Sequence, residues 1–204
     1  PHQPKTYANW AAQVPADFRF SVKIPRTISH DHGLRGTGPL LDRFLGEAGE
    51  LGDKLGGFLL QLPPALALDA RSASSFFRML RRRTDAPLAC EPRHASWMSP
   101  QADALLARHD VARVDADPPR AGANAVPHGS AAWRYWRWHG SPRVYYSDYP
   151  EDRLQALARS VSRVPKRQPA WVIFDNTAHG YAVANAARLQ ELLRDPAATE
   201  DGDA

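Results

Sequence analysis

Residues 87–97, with the sequence PLACEPRHASW, decide the fold class of this chain. The apolar run at 88–90 is followed at once by three ionisable side chains, Glu91, Arg93 and His94. A short apolar run of this kind is typical of a strand that is buried on both faces, as in a parallel sheet. Ionisable side chains at the end of a buried strand are costly unless they are paired or take part in function. The stretch therefore predicts a buried strand with a polar end.

The same order of elements, an apolar strand, a polar end and an amphipathic helix, recurs along the chain. Strands are predicted at residues 18–25, 55–62, 88–93, 111–115, 133–139 and 170–174, six in all. Helices are predicted at residues 5–13, 39–48, 69–83, 150–164 and 181–193, and another begins at Ser99 and Pro100. Asp69 and Ser99 are suited to cap the helices that follow them. This alternation predicts an α/β fold in which helices cover a parallel sheet.

Two architectures fit this alternation, an open doubly wound sheet and a (β/α)8 TIM-like barrel. No glycine-rich phosphate-binding pattern follows a strand, which disfavours the open nucleotide-binding sheet. Six of the eight strand–helix units of a barrel are present. The first residues, PHQP, contain no initiator methionine and do not resemble a signal peptide, so we expect the missing units upstream. Residues 1–194 are predicted to form one barrel domain without its N-terminal strands, and the acidic residues 195–204 a disordered tail.

Composition narrows the class of protein further. The chain has 204 residues, 43% of them hydrophobic, and no apolar run approaches the ~20 residues that a membrane span needs. Cys90 is the only cysteine, which excludes an intrachain disulfide and a cysteine-based zinc site and fits a reducing cytoplasm. The net charge of +4 indicates mild attraction to anions rather than a dedicated nucleic-acid binder. Nothing in the sequence indicates an oligomeric state.

Several short segments stand in a fixed order across almost the whole chain: FRFSVKIP at 18–25 with ISH at 28–30, KLG at 54–56 with LQLPP at 60–64, EPRH at 91–94 with SW at 96–97, RWHG at 137–140, and FDNT at 174–177. In this order they resemble the YecE-like family, also called domain of unknown function 72. The resemblance implies a fold similar to TIM barrels and no established biochemical activity. It also implies two N-terminal strands that are absent here, and Asn rather than Asp at position 175.

In a (β/α)8 barrel the carboxyl ends of the strands meet at one mouth, which carries the active site. We therefore expect one site there, for a small polar or anionic molecule. Glu91 and His139 are the candidate acid–base groups, and Lys23 is a candidate catalytic amine or anion anchor. The candidate ligand-binding residues are His30, Gln61, Arg93, His94, Asp115, Arg137, Asp175 and Asn176. Arg137 suits a carboxylate or phosphate because its planar fork binds these groups bidentately.

Other interpretations of the same residues stay open. The polar ends can instead form a layer of ion pairs, with Glu91 bound to Arg93 or Arg137. Trp97, Trp136, Trp138 and Tyr145 can form a stacking wall or belong to the core. Glu91, Asp115, His139 and Asp175 are acceptable ligands for a divalent ion, but no metal-binding pattern accompanies them, and neither a metal nor another cofactor is predicted.

Three functions follow from these interpretations. The first is a hydrolase or lyase that acts on a small polar or anionic substrate by acid–base chemistry. The second is a metal-dependent phosphodiesterase or nuclease, which rests on analogy of fold alone. The third is a non-catalytic module that binds an anion or nucleic acid, although no motif supports a nucleic-acid partner.

Overall fold

The structure is a computed structural model that describes residues 2–119 and 133–194. Most of the strands among these residues are followed by a helix, as the sequence predicts. The elements are α1 (Pro4–Ala12), β1 (Phe20–Lys23), α2 (Gly38–Gly49), β2 (Leu55–Gln61), α3 (Ala70–Arg81), β3 (Leu88–Glu91), α4 (Pro100–Arg108), β4 (Val111–Arg113), β5 (Asp115–Asp117), β6 (Arg134–Trp138), α5 (Glu151–Ser162), β7 (Ala170–Phe174) and α6 (Tyr181–Arg194). Every strand pairing among them is parallel, which confirms the α/β class.

The first compact unit, described here from residue 2 to residue 113, contains a four-stranded sheet in the order β1-β2-β3-β4. Parallel neighbours need a crossover connection, and amphipathic helices supply it between successive strands. The central strand β3 is buried along its whole length, and Cys90 has no exposed surface. Phe44, Phe58 and Phe77 fill the core between the sheet and its helices. This core holds the carboxyl ends of β1, β2 and β3 along one edge.

Two helix starts in this unit follow the predicted capping residues. The Asp69 carboxylate accepts hydrogen bonds from the backbone N–H groups of Arg71 and Ser72 at the start of α3. The Ser99 hydroxyl accepts one from the N–H of Ala102 at the start of α4, where Pro100 occupies the first turn. Both caps satisfy backbone donors that have no partner inside the helix, so the predicted starts are confirmed.

The second compact unit, described at residues 114–119 and 133–194, contains a three-stranded sheet in the order β5-β6-β7. Its core is formed by the aromatic strand β6 packed against α5 and α6. The ring centroids of Trp138 and Tyr149 lie 4.5 Å apart, and Leu154, Leu157 and Leu189 complete the cluster. The aromatic residues Trp136 and Trp138 therefore belong to the core, as one of the two interpretations predicted.

The predicted single strand at residues 111–115 is wrong. The structure has two short strands there, since β4 pairs with β3 in the first sheet and β5 pairs with β6 in the second. An apolar pattern shows which residues are buried but not which strand they pair with, so the break at Val114 is invisible in the sequence. The predicted loop at 116–132 also starts too early, because β5 extends to Asp117. Residues 120–132 and the predicted disordered tail at 195–204 lie outside the described residues.

Within the described part of the chain, no helix combines the length and the apolar character needed to cross a membrane.

Candidate functional site

Three of the predicted site residues end neighbouring strands of the first sheet. Lys23 is the last residue of β1, Gln61 the last of β2 and Glu91 the last of β3. The register pairs Gln61 with Glu91 directly, and Lys23 lies opposite Leu59 on the neighbouring strand. Lys23 is exposed, whereas Gln61 and Glu91 are 7% and 1% exposed. The carboxyl edge of this sheet therefore carries one accessible cation beside two buried polar groups.

Glu91 is held by Arg93 two residues further along the chain. The Nε and Nη2 atoms of Arg93 donate hydrogen bonds of 3.2 and 3.1 Å to Oε1 of Glu91. Charge-assisted bonds from a planar guanidinium fix both position and orientation of the carboxylate. This contact is the ion pair that the sequence offers as the alternative to acid–base catalysis by Glu91, and it leaves Glu91's catalytic role a prediction.

His30 lies in the loop after β1, in a short π-helical turn at Thr27–Asp31. Its Nδ1 atom is 2.8 Å from the hydroxyl of Ser29. Burial lowers the pKa of His30 below 6.5, and the positive charges of Arg26, Lys23 and Arg93 lower it further, against the opposing effect of Asp31. Two of these cations are themselves paired with carboxylates, Arg26 with Asp31 at 3.2 Å and Arg93 with Glu91 at 3.1 Å.

His94 has a local structural contact. Its Nδ1 atom accepts a 3.1 Å hydrogen bond from the backbone N–H of Ser96 and so caps the short helical turn at Ala95–Trp97. A ring nitrogen that accepts from the backbone is not available on that side to a ligand. Any contact of His94 with a ligand would have to use the other ring nitrogen.

In the second unit, three predicted residues meet around one carboxylate oxygen. Oδ2 of Asp175 accepts a 2.8 Å hydrogen bond from Nη2 of Arg137 and lies 3.0 Å from Nδ1 of His139. Backbone hydrogen bonds between the strand ends position two of the three, because the N–H of His139 donates to Asp117 O and the N–H of Asp175 donates to Trp138 O, each at 2.7 Å. His139 is fully buried. We call Arg137, His139 and Asp175 the Asp175 cluster.

The carboxylate of Asp175 determines which ring nitrogen of His139 carries the proton. An ionised carboxylate only accepts hydrogen bonds, so the nitrogen that faces it carries the proton. Nδ1 of His139 is therefore the protonated nitrogen, and Nε2 is the basic one when the ring is neutral. An asparagine at 175, which the sequence resemblance implies, would neither fix this tautomer by charge nor balance the positive charge of Arg137.

Asn176 is completely buried beside this cluster and connects two loops. Its Nδ2 atom donates to the backbone oxygen of Ser147 at 3.0 Å and to Oδ1 of Asn185 at 2.8 Å. Asn185 in turn donates to Oδ1 of Asp148. Since Asp148 only accepts, this chain fixes the orientation of both amides, and Oδ1 of Asn176 has no hydrogen-bond partner. The protein uses the amide donor of Asn176 to attach the segment 140–149 to the residues that follow β7.

Comparison with known proteins identifies the family. The family model described as "Protein of unknown function DUF72" matches residues 1–203. The chain belongs to the DUF72 family. The protein YecE of Escherichia coli K12, described as a UPF0759 protein, is 39% identical over 61 residues, an alignment that spans 30% of this chain and only 22% of the relative. The resemblance found in the sequence is thereby confirmed.

Solved structures of DUF72 proteins share the fold. The crystal structure of a DUF72 family protein from Thermotoga maritima MSB8 matches 94% of this chain and 80% of that chain, with a TM-score of 0.79 and 23% identity. A DUF72 family protein from Enterococcus faecalis V583 matches 95% of this chain and 85% of that chain, with a TM-score of 0.79 and 24% identity. At this level of identity the likeness shows the fold alone.

The sequence missed several polar residues of this DUF72 chain that the structure brings together. Asp115 was predicted as a strand end, but it begins β5, and the residue at the carboxyl end is Asp117. Asp117 forms an ion pair with Arg153 and accepts a 3.0 Å hydrogen bond from the hydroxyl of Tyr149. Burial raises the pKa of Tyr149. The alternation of Asp115 and Asp117 was the available signal, since residues two apart share a face of a strand.

Arg113 is a second missed residue, in the first unit. It is 5% exposed at the end of β4 and forms a 2.9 Å ion pair with Asp103 of α4. Its Nη1 atom also lies 3.4 Å from the backbone oxygen of Trp97. Nothing in the sequence distinguishes this arginine from the exposed arginines of the chain, because its partner is ten positions away on another element.

The described residues also bear on metal and cavity sites. Across residues 2–119 and 133–194, no three His, Cys, Asp or Glu side chains lie close enough together to hold a metal ion.

A cavity of about 300 Å³ lies between α1 and β1, and Lys23 is the one predicted site residue that lines it. The cavity is also lined by His2, Tyr7, Trp10, Phe20, Ser21, Val22, Pro25 and Leu51.

Proposed function

We propose that this DUF72 protein binds a small anionic molecule at the carboxyl ends of its strands and acts on it by acid–base chemistry, as a hydrolase or lyase. The Asp175 cluster carries this proposal, because one carboxylate oxygen contacts both an arginine and a buried histidine at the ends of β6 and β7. Ligands of parallel α/β sheets bind outside the carboxyl ends of the strands. In this proposal His139 is the proton-transfer group and Arg137 the anion-binding group.

His139 is the proposed proton-transfer residue. With Nδ1–H directed at Asp175, Nε2 accepts a proton from the substrate or from water, and the carboxylate stabilises the imidazolium that forms. Burial of the ring keeps it in one orientation. Arg137 holds Asp175 in place, and its planar guanidinium is the group that we propose to hydrogen-bond a carboxylate or phosphate.

The first unit carries cations of its own near the carboxyl ends of its strands. Around His30 lie Lys23, Arg26 and Arg93, against two carboxylates, Asp31 paired with Arg26 and Glu91 paired with Arg93. A local excess of cations raises the concentration of anions near a site. We propose Lys23 and Arg93 as anion-binding residues of this unit, with Gln61, His30 and His94 as polar neighbours of an anion bound there and Glu91 as a further acid–base candidate.

The (β/α)8 barrel that the sequence predicts belongs to the same proposal. The parallel pairing in both sheets and the alternation of strands with helices support it. A cytoplasmic location is likewise proposed, on the single cysteine, whose burial raises its pKa and so disfavours the reactive thiolate. The metal-dependent phosphodiesterase has no observation in its favour among the described residues.

Titration with inorganic phosphate, followed by nitrogen NMR of the histidine rings, tests ligand binding. We expect saturable shifts of the His139 ring nitrogens, and binding about tenfold weaker after Arg137→Gln, which corresponds to about 1.4 kcal/mol. Arg188→Gln is the matched control, because the half-exposed side chain of Arg188 on α6 also pairs with a carboxylate, that of Glu151. Absence of phosphate binding in the wild type, or equal binding in Arg137→Gln, would contradict the anion site.

Hydrolysis of p-nitrophenyl phosphate and p-nitrophenyl acetate tests the chemistry. We expect turnover that is lost in His139→Gln and reduced in Asp175→Asn, whereas His109→Gln, in which a histidine bonded to Ser74 is replaced, keeps it. Phosphate binding without any difference in hydrolysis between the wild type and His139→Gln would identify a binding module instead.

A further inference from the structure

An exposed row of aromatic rings lies on the segments that follow β6 and β7. Tyr146 and Tyr181 are 40% and 37% exposed, and His179 stands between them with ring centroids 5.5 Å from Tyr146 and 6.0 Å from Tyr181. The guanidinium of Arg143 lies 4.0 Å from the centroid of the Tyr146 ring. We call Arg143, Tyr146, His179 and Tyr181 the tyrosine ladder. Large exposed aromatic groups that contact one another are unusual on a surface and indicate a binding role.

Tyr145, next to the ladder, supports the same interpretation. Its backbone has a φ of +71°, a region that costs roughly 1–2 kcal/mol for residues other than glycine. Its N–H donates to the backbone oxygen of His139, and its own oxygen accepts from the N–H of Ala178 at 3.1 Å. Glycine or asparagine would adopt this backbone at lower cost. The chain thus keeps an aromatic side chain, 41% exposed, at a position where glycine would cost less, and the Tyr145 ring also meets that of His139 edge to face with centroids 6.1 Å apart.

We propose that the tyrosine ladder binds single-stranded nucleic acid by stacking bases on its rings, with Arg143 contributing positive charge to the backbone contact. Aromatic rings combined with arginine are the usual means of binding single strands without sequence preference. None of the four residues of the ladder is assigned to the acid–base chemistry of His139, and the proposal does not depend on that chemistry.

The orientation of the rings favours a single strand over a duplex. His179 meets Tyr146 and Tyr181 edge to face, with interplanar angles of 68° and 77°, so the faces of neighbouring rings point in different directions. Bases that stack on different rings must therefore be unstacked from one another. A duplex hides its base faces, whereas a single strand presents them to aromatic side chains.

Fluorescence anisotropy with labelled oligothymidylate tests the proposal on the full chain. We expect binding that weakens with added salt, and weaker binding of a duplex of equal length. The double variant Tyr146→Ala/Tyr181→Ala should bind about tenfold more weakly or worse. Tyr146→Phe/Tyr181→Phe should restore the affinity, because the phenyl ring is sufficient for stacking.

Val183→Ala is the matched control, since Val183 is 78% exposed on α6 but takes part in no ring contact of the ladder. Circular dichroism of each variant confirms that folding is unchanged. The proposal is overturned if the wild type does not bind oligothymidylate, if it binds the duplex equally well, or if the double alanine variant keeps its affinity.

Discussion

Gly140 and Asn176 approach each other so closely that a Cβ atom on residue 140 would lie 3.2 Å from Cβ of Asn176. The same atom would lie 3.1 Å from the backbone oxygen of Ser147 and 3.2 Å from that of Arg143. Gly140 also has a φ of +95°, a conformation that side chains disfavour. The segment that leaves β6 therefore needs glycine at position 140, both for space and for its backbone conformation. Glycine allows this segment to pass close to Asn176, the residue that follows Asp175.

Replacement of Gly140 by alanine should destabilise the protein by roughly 2–4 kcal/mol, since the left-handed backbone and the clash both contribute. Chemical denaturation measures the loss. Gly180→Ala is the control in the same unit, because Gly180 has a φ of +81° but nothing within 4 Å of the added atom. It should cost only about 1 kcal/mol. Equal losses in the two variants would show that the close approach at Gly140 has no energetic effect.

Asn176→Asp should destabilise the protein in a pH-dependent way. The carboxylate would face two acceptors, Ser147 O and Asn185 Oδ1, in a fully buried place. Burial and these acceptors favour the protonated form, so the folded-state pKa of the new side chain lies above its unfolded value. The variant therefore recovers stability relative to the wild type as the pH falls, when the protonated carboxyl donates in place of the amide. Urea denaturation of both proteins across acidic and neutral pH gives the difference, and a pH-independent difference would contradict the assigned orientation of Asn176.

Asp69 contributes a pH-dependent part of the stability of α3. The hydroxyl and N–H of Ser72, with further bonds from Arg35 and Arg71, lower the pKa of Asp69 from 3.8 to about 2. A depressed folded-state pKa means that this contribution is complete above pH 3.8 and is lost as the pH falls through about 2. Asp69→Ala should lower the melting temperature near neutral pH, and the difference from the wild type should shrink between about pH 4 and pH 2. Asp69→Asn keeps a capping oxygen without the charge, so it separates the contribution of the cap from that of the ion pair. A difference in melting temperature between Asp69→Ala and the wild type that stays constant with pH would contradict the prediction.

The pKa of His30 depends on the positive charges near its ring. Lys23→Gln removes one of the positive charges that lower the pKa of His30, so this pKa should rise toward 6.5 but stay below it, because burial is the larger cause. Proton NMR of the imidazole against pH measures the change. Lys5→Gln on α1 is the control and should leave His30 as it is. A pKa of His30 that falls or does not move in Lys23→Gln would mean that Lys23 does not act on this ring.

Prediction from the sequence succeeded where the determinants lie close together in the chain. Asp69 and Ser99 cap helices that begin at the next residue, and the strand–helix alternation depends on apolar periods within each segment. The ion pair of Glu91 with Arg93 joins residues two apart and was among the interpretations considered. For the site, the sequence also named all three members of the Asp175 cluster, although it did not indicate that they touch.

The contacts that the sequence could not supply join distant residues. Asn176 bonds to Ser147 across 29 positions, Asp117 pairs with Arg153 across 36, and no local pattern distinguishes these partners from other polar residues nearby. The separation of β4 from β5 is of the same kind, since it depends on which strand each one pairs with. The sequence by itself determined the elements, their order and their buried faces, because short-range periodicity and caps encode them. Only the tertiary structure decided which polar side chains meet, because hydrogen-bond partners are chosen by position in space after the strands have paired.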